Sequence, residues 1–205
     1  MQTGVIVAGG RSTRFGDSDK AVADLAGMPM IRRVADRVAE VVASLVINCR
    51  PDQVETIRRA LAGAGYDVRY AEDTNTDRGP MAGIATGLRA AESEYAAVVA
   101  CDMPFVEPAL LEHLFEVAEG RDAAVPRVDE KWFQTTQAVY HVDAMVAACE
   151  RALARGDRKV LAPLEDLDCA VVEEPAVREH ASLDTFENLN TAAEFETAAA
   201  RLRTE

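Results

Sequence analysis

The chain predicts an α/β fold: a Rossmann-like three-layer sandwich whose mostly parallel sheet carries helices on both faces. Three observations predict it. Apolar residues alternate along the chain between short continuous runs and helical spacing. The first apolar run stops at the paired glycines Gly9-Gly10. The chemically distinctive residues follow the apolar runs, at the carboxyl edge where such sheets bind ligands.

The elements follow in order. Val5-Ile6-Val7-Ala8 is a buried first strand ending in a glycine turn. Met30, Ile31, Val34, Val38, Val41 and Val42 recur at helical spacing behind Pro29, and Leu45-Val46-Ile47 forms the second strand. A second helix follows Pro51, with Val54, Ile57 and Leu61 on one face; Asp67 to Ala71 reads as the third strand. Met81, Ile84 and Leu88 mark a third helix, Tyr95 to Ala100 a fully buried fourth strand, and Leu110, Leu111, Leu114 and Phe115 a fourth helix. From 122 onward the pattern loosens. Asp122–Pro126 and Thr135–Tyr140 read as strands around a polar excursion with Lys131 and Trp132, and the Ala-rich tail after Asn190 reads as a closing helix. No linker or repeat divides residues 1–205, so one domain with two functional halves is expected, 1–120 and 121–205.

The 205 residues carry 35 acidic against 22 basic side chains, a formal charge of -13. That balance repels nucleic acid and anionic membranes, so neither is an expected partner, and a small anionic ligand needs a local basic pocket. Cys49, Cys101, Cys149 and Cys169 have no metal-ligand spacing, and His113, His141 and His180 form no close pair in sequence. No apolar run approaches the roughly 18 residues of a membrane helix. A cytoplasmic location is expected.

The stretch from Val5 to Lys20 carries the most chemistry. Gly9 and Gly10 let backbone N–H groups approach an anion, and Arg11, Arg14 and Lys20 supply countercharge, so the stretch reads as a polyphosphate cradle. It is not a Walker loop, because Asp17 rather than Lys follows Gly16. It is not a dinucleotide fingerprint either, because the second strand ends in Asn48-Cys49-Arg50 rather than in an acidic residue for a ribose.

Asp102, in Cys101-Asp102-Met103-Pro104, is a carboxylate at the tip of a buried strand. It suits a magnesium ion completed by phosphate oxygens and water, or a cap on the following helix or turn. In Arg78-Gly79-Pro80-Met81-Ala82-Gly83-Ile84 the Gly-Pro pair starts a helix. Gly83 there admits either a close ligand or close packing. In Phe186-Glu187-Asn188-Leu189-Asn190-Thr191, Asn188 and Asn190 present two amides on one side of an extended segment, with Asn190 also placed to cap the last helix.

Together these blocks carry a family resemblance. Ala8-Gly9-Gly10-x-Ser12-x-Arg14-Phe15-Gly16-x-x-Asp19-Lys20, Leu25-x-Gly27-x-Pro29-Met30, Gly79-Pro80-Met81-Ala82-Gly83-Ile84, Cys101-Asp102-Met103-Pro104-Phe105 and Asn188-Leu189-Asn190-Thr191 resemble, in order and spacing, the nucleotidyltransferases of the molybdenum cofactor guanylyltransferase family. The first block is shared by many nucleotidyltransferases; the later ones narrow the match. One block departs: Gln134-Thr135-Thr136-Gln137-Ala138-Val139-Tyr140 stands where the family has Gln-Pro-Leu before Ala-x-Tyr.

The resemblance implies a nucleotidyltransferase-type fold and transfer of GMP from GTP to molybdopterin with release of pyrophosphate. It implies magnesium as cofactor, and transient contact with molybdoenzyme-maturation proteins. By residue, it places Val7, Ala8, Gly9 and Gly10 against the nucleotide, Lys20 and Arg14 on its phosphates in a catalytic role, Asn48 and Asp73 near base and ribose, and Asp102 on the metal. Residues 1–120 become the nucleotide-binding half and 121–205 the acceptor-binding half, the excursion with Lys131 and Trp132 being where the acceptor would be read; Gly79, Gly83, Asn188 and Asn190 also fall to the acceptor. A cobinamide-phosphate guanylyltransferase or a molybdopterin cytidylyltransferase would share the cradle and Asp102, and a catalytically idle nucleotide sensor is the alternative of another class.

Overall fold

The structure is a computed structural model that describes residues 1–10, 19–73 and 79–204. Within it an eight-stranded sheet is ordered β10-β7-β9-β6-β1-β4-β5, with β8 paired to β7. β1 (Thr3–Val7) lies parallel to both β6 (Tyr95–Ala100) and β4 (Ser44–Cys49), and β4 is parallel to β5 (Val68–Glu72). The β2–β3 hairpin (Asp24–Leu25, Met28–Pro29) forms a small separate ribbon.

The first half follows the predicted alternation. α1 (Met30–Val38), α2 (Val54–Ala60), α3 (Pro80–Arg89) and α4 (Pro108–Ala118) each connect two strands. α1 stops before Val41 and Val42, which continue it as turn: their N–H groups bond the Val38 carbonyl at 3.1 and 3.3 Å.

The second half is richer than its loose pattern. β7 (Ala123–Val128), β8 (Trp132–Phe133) and β9 (Gln137–His141) precede α5 (Val142–Arg155), β10 (Cys169–Glu173), α6 (Glu174–His180) and α7 (Ala192–Leu202). β9 runs antiparallel to both neighbours, β6 and β7. The cause is chain length: 129–136 cannot hold the crossover that a parallel pair requires, so the chain reverses directly.

The alternating side chains of the sheet feed two cores. Ile6, Ile47, Val99 and Val139 pack under α1, α2, α4 and α6; Val5, Val46, Val98 and Tyr140 pack under α3 and α5. A third cluster, in which Leu25, Met30, Phe105 and Leu189 meet Phe195 and Ala198 of α7, brings the C-terminal helix against the ribbon. Because β1, β4, β5, β6 and β7 point the same way, their carboxyl ends share one edge, which gathers Gly9-Gly10, Asn48, Asp73, Asp102 and the β7–β8 hairpin.

Candidate active site

Lys20 opens a single 3-10 turn after the cradle, and its side chain is 9% exposed. Lysine in this position needs partners, since a desolvated ammonium is costly. It finds two: Nζ donates to Asp102 Oδ2 at 2.8 Å and to Asn190 Oδ1 at 3.0 Å. Lys131 and Lys159, the other two lysines, are exposed. Three residues far apart in sequence thus meet at one point of the sheet edge.

Asp102 reaches that point because β6 ends there. Cys101 N–H bonds the Val7 carbonyl at 3.1 Å, extending the β1–β6 pairing by one step, and Met103 N–H turns back to the Ala100 carbonyl. The carboxylate bonds Lys20, while α4 begins only at Pro108 with Glu107 in the capping position and no side-chain cap. Among the described residues the carboxylate accepts no backbone N–H, so it caps neither the turn nor α4.

Asn190 arrives from the other end of the chain. The Leu189 N–H donates to the Asp102 backbone carbonyl at 3.0 Å, which stitches the extended segment to the β6 turn. Thr191, not Asn190, caps α7: Thr191 Oγ1 accepts from Glu194 N–H, and Glu194 Oε2 accepts from the Asn190 and Thr191 N–H groups at 2.6 and 2.9 Å. Those two N–H bonds hold the Glu194 carboxyl below its ordinary range, with the Thr191 hydroxyl and the Lys20 charge adding to the effect. The Asn190 side chain is thereby left free to accept from Lys20 at Oδ1, while its Nδ2 donates to the Asn188 carbonyl at 3.5 Å. Asn188 is half-buried, and its Nδ2 donates to the Phe186 carbonyl at 3.1 Å.

The cradle's first residues are held from beneath. Ala8 N–H bonds the Asn48 carbonyl at 2.8 Å; Val7 and Gly9 are half-buried, and Gly10 is exposed. Asn48 is fully buried at the end of β4, where its Nδ2 donates to the Ala71 carbonyl at 3.1 Å. Among the described residues its Oδ1 has no partner. Beside that oxygen lie two glycines: a Cβ added to Gly83 would sit 2.5 Å from it, and one added to Gly9 3.5 Å away. Gly83, in the first turns of α3, therefore faces Asn48 inward, which fits close packing rather than direct contact with an acceptor. Gly79 has φ +78, a left-handed conformation that favours glycine, and it is exposed just before α3. Asp73 is half-buried at the end of β5, its N–H bonded to the Cys49 carbonyl. Arg11, Arg14 and Arg78 lie outside the described residues.

Two residues escaped the sequence reading. Arg50, there only an argument against a dinucleotide site, donates from Nη1 to the Gly9 and Gly10 carbonyls at 3.4 and 3.1 Å. Gln53 lies buried between the cradle and Asp19. The signal available was positional: an arginine at the carboxyl end of the second strand must lie beside whatever follows the first.

On the other half of the edge, Trp132 is 58% exposed with the Lys131 ammonium 4.7 Å above its ring. Asp129 and Glu130 turn the hairpin with positive φ. Between the halves, Gln137 of β9 is buried and donates to Thr185 Oγ1 at 2.6 Å, and Thr185 Oγ1 also accepts from Glu107 N–H.

Residues 4–175 match the MobA-like NTP transferase domain. The chain is 52% identical to a probable molybdenum cofactor guanylyltransferase of Natronomonas pharaonis, covering 98% of each chain, and 40% identical to one of Haloferax mediterranei, covering 98% of this chain and 94% of that protein. The fold superposes with a TM-score of 0.80 on the molybdopterin-guanine dinucleotide biosynthesis protein A of Archaeoglobus fulgidus, at 28% identity and with both chains fully covered. By its matched domain and by these full-length relatives, the chain belongs to the MobA-like NTP transferase family.

Proposed function

We propose that the chain transfers GMP from GTP to the terminal phosphate of molybdopterin and releases pyrophosphate. The observation that carries this reading is the meeting of Lys20, Asp102 and Asn190 beside the glycine turn, in a chain whose full-length relatives bear the guanylyltransferase name. The acceptor phosphate oxygen attacks the α-phosphorus in line, and the bond from that phosphorus to the bridging oxygen of the β-phosphate breaks. In this reading the Lys20 ammonium and the N–H groups of the glycine turn stabilise the charge that builds on the α-phosphate and the departing pyrophosphate.

Magnesium fits the donor set. Among the described residues no three metal-ligating side chains cluster, but magnesium needs only one or two carboxylates when phosphates and water complete its shell. Asp102 would hold it, and when bound it would neutralise phosphate charge as a Lewis acid.

The thiols support direct transfer. Burial, with Glu72 next, pushes Cys49 up to about 11. Burial also pushes Cys149 up to about 12. Burial and the neighbouring Asp102 carboxylate raise Cys101, the thiol nearest the site. None of the three is a thiolate nucleophile at neutral pH. All four cysteines are free, which fits the cytoplasm as the place of work.

Guanine is the base that suits the ends of β4 and β5. Asn48 Oδ1 is a buried acceptor without a donor among the described residues, and Asp73 places a carboxylate just after β5. Guanine presents the paired donors N1–H and N2–H; cytosine and adenine set one amine beside a ring acceptor. A wrong base that leaves a buried acceptor unpaired costs about 1–3 kcal/mol. The test is pyrophosphate release from GTP, CTP, UTP or ATP, each with molybdopterin and with cobinamide phosphate, with and without magnesium. GTP with molybdopterin is expected to lead. CTP in first place overturns the base, turnover with cobinamide phosphate alone overturns the acceptor, and no release in any combination overturns catalysis.

A further inference from the structure

One buried amide touches both flanks of the glycine-rich stretch. Gln53, in the turn Pro51–Gln53 between β4 and α2, is 2% exposed. Its Nε2 donates to the Ala8 carbonyl at 3.2 Å and to Asp19 Oδ2 at 2.6 Å, and its Oε1 accepts from Arg50 N–H at 2.9 Å. Ala8 ends the first strand, and Asp19 immediately precedes Lys20. The other Asp19 oxygen accepts from Ala21 N–H at 3.1 Å, so the carboxylate fixes the turn that aims Lys20.

Arg50 completes the arrangement. One edge of its guanidinium is held by Asp52 at 3.1 and 3.2 Å, it comes within 4.0 Å of Asp19, and Nη1 faces the Gly9 and Gly10 carbonyls. Those carbonyls are drawn toward β4. The negative ends of the two peptides then point away from an incoming anion, which is what a phosphate site of backbone N–H groups requires.

We propose that Gln53, assisted by Arg50, is a positioning residue for the phosphate site: it sets the distance from residues 8–10 to Lys20 and fixes the direction of the glycine peptides. Its kinetic consequence rests on the nucleotidyl-transfer reading above; its structural consequence does not.

Gln53→Glu tests it with little change of shape. The substitution keeps the acceptor for Arg50 N–H, but sets an oxygen against the Ala8 carbonyl and a carboxylate against Asp19. With folding verified by circular dichroism and melting, kcat/KM for GTP should fall roughly 10- to 100-fold, while KM for the acceptor stays unchanged. The introduced carboxyl, raised by its like-charged neighbour, can donate to Asp19 once protonated. Activity relative to the unsubstituted protein should therefore recover as pH falls from about 8 to about 6. Asp19→Asn added to Gln53→Glu returns an N–H to the pair and should relieve the defect. Gln53→Met, with no donor and no charge, should show the loss without the pH recovery, and it serves also if the carboxyl variant does not fold.

Two folded variants within about twofold of the unsubstituted kcat/KM, or a Gln53→Glu defect that neither low pH nor Asp19→Asn relieves, would overturn the proposal. If the unsubstituted protein transfers no GMP, the function reading fails by itself. Amide exchange then decides: Ala21 N–H, bonded to Asp19, should exchange faster in Gln53→Glu and Gln53→Met, and unchanged exchange sinks the positioning role.

Discussion

The two ends of the sheet edge handle polar groups in opposite ways. Along β1, β4 and β6, Lys20, Asn48, Gln53 and Asp102 are buried or half-buried and committed to one another, to backbone or to Asn190. Around the β7–β8 hairpin, Lys131 and Trp132 face solvent, and Arg127 lies 5.5 Å over the Phe133 ring in an ion pair with Glu173. Groups locked in the low-dielectric side are held to one geometry, because any departure leaves a buried polar atom unpaired. Groups on the open side can shift at little cost. The difference teaches which part of the edge tolerates change: the buried, mutually bonded groups do not, and the exposed hairpin does.

Lys20→Ala should break the closed side most severely. One electrostatic contact to developing charge is worth about 10²–10³ in kcat, and the fold should survive because the residue sits in a turn rather than a core. Asp102→Asn, which keeps shape and removes charge, should raise the magnesium requirement more than it weakens nucleotide binding. A magnesium titration of both variants beside melting curves checks this, and near-normal kcat in either would remove that residue from the machinery.

Trp132→Ala should sharpen the contrast. Loss of one exposed aromatic contact, about 1 kcal/mol, should raise KM for the acceptor about fivefold. KM for GTP should not move; equal changes in both constants would mean that the two sides are not separate.

The smallest effect concerns the seam. His113 of α4 and His180 of α6 stack with ring centroids 4.1 Å apart and planes 14° from parallel. Burial first, and the His180 charge second, lower His113 from its ordinary 6.5. The unfolded chain therefore takes up the proton before the folded one. Stability is full above 6.5 and declines as pH falls from there toward the folded value. Melting temperatures over that window should drop less for His113→Phe than for the unsubstituted protein. Equal slopes would mean that the stack is silent in the pH response.

Much of this was legible beforehand. The alternation of periods foretold the first half, because each βα unit is a local pattern; Lys20, Asp102 and Asn190 stood out because charged or amide residues follow apolar runs. The direction of β9 was also readable, since 129–136 is too short for a crossover. What stayed hidden was long-range and aperiodic. Gln53 acts 34 and 45 residues away in sequence, and nothing in its neighbours marks a buried amide. α5, β10 and α6 lie in the region where the apolar pattern loosens. Gly83 was ambiguous for a similar reason: the oxygen it faces belongs to β4, out of reach of any local pattern.

The bond between Lys20 and Asn190 spans 170 residues. A ribosome releasing this chain makes the cradle, then the Asp102 strand, and near the end the segment that joins them. Translation that halts before Asn190 leaves Lys20 and Asp102 facing one another without their third partner, and the β2–β3 ribbon without α7 packed against it. A prematurely stopped product therefore lacks one of the three groups that meet beside the glycine turn.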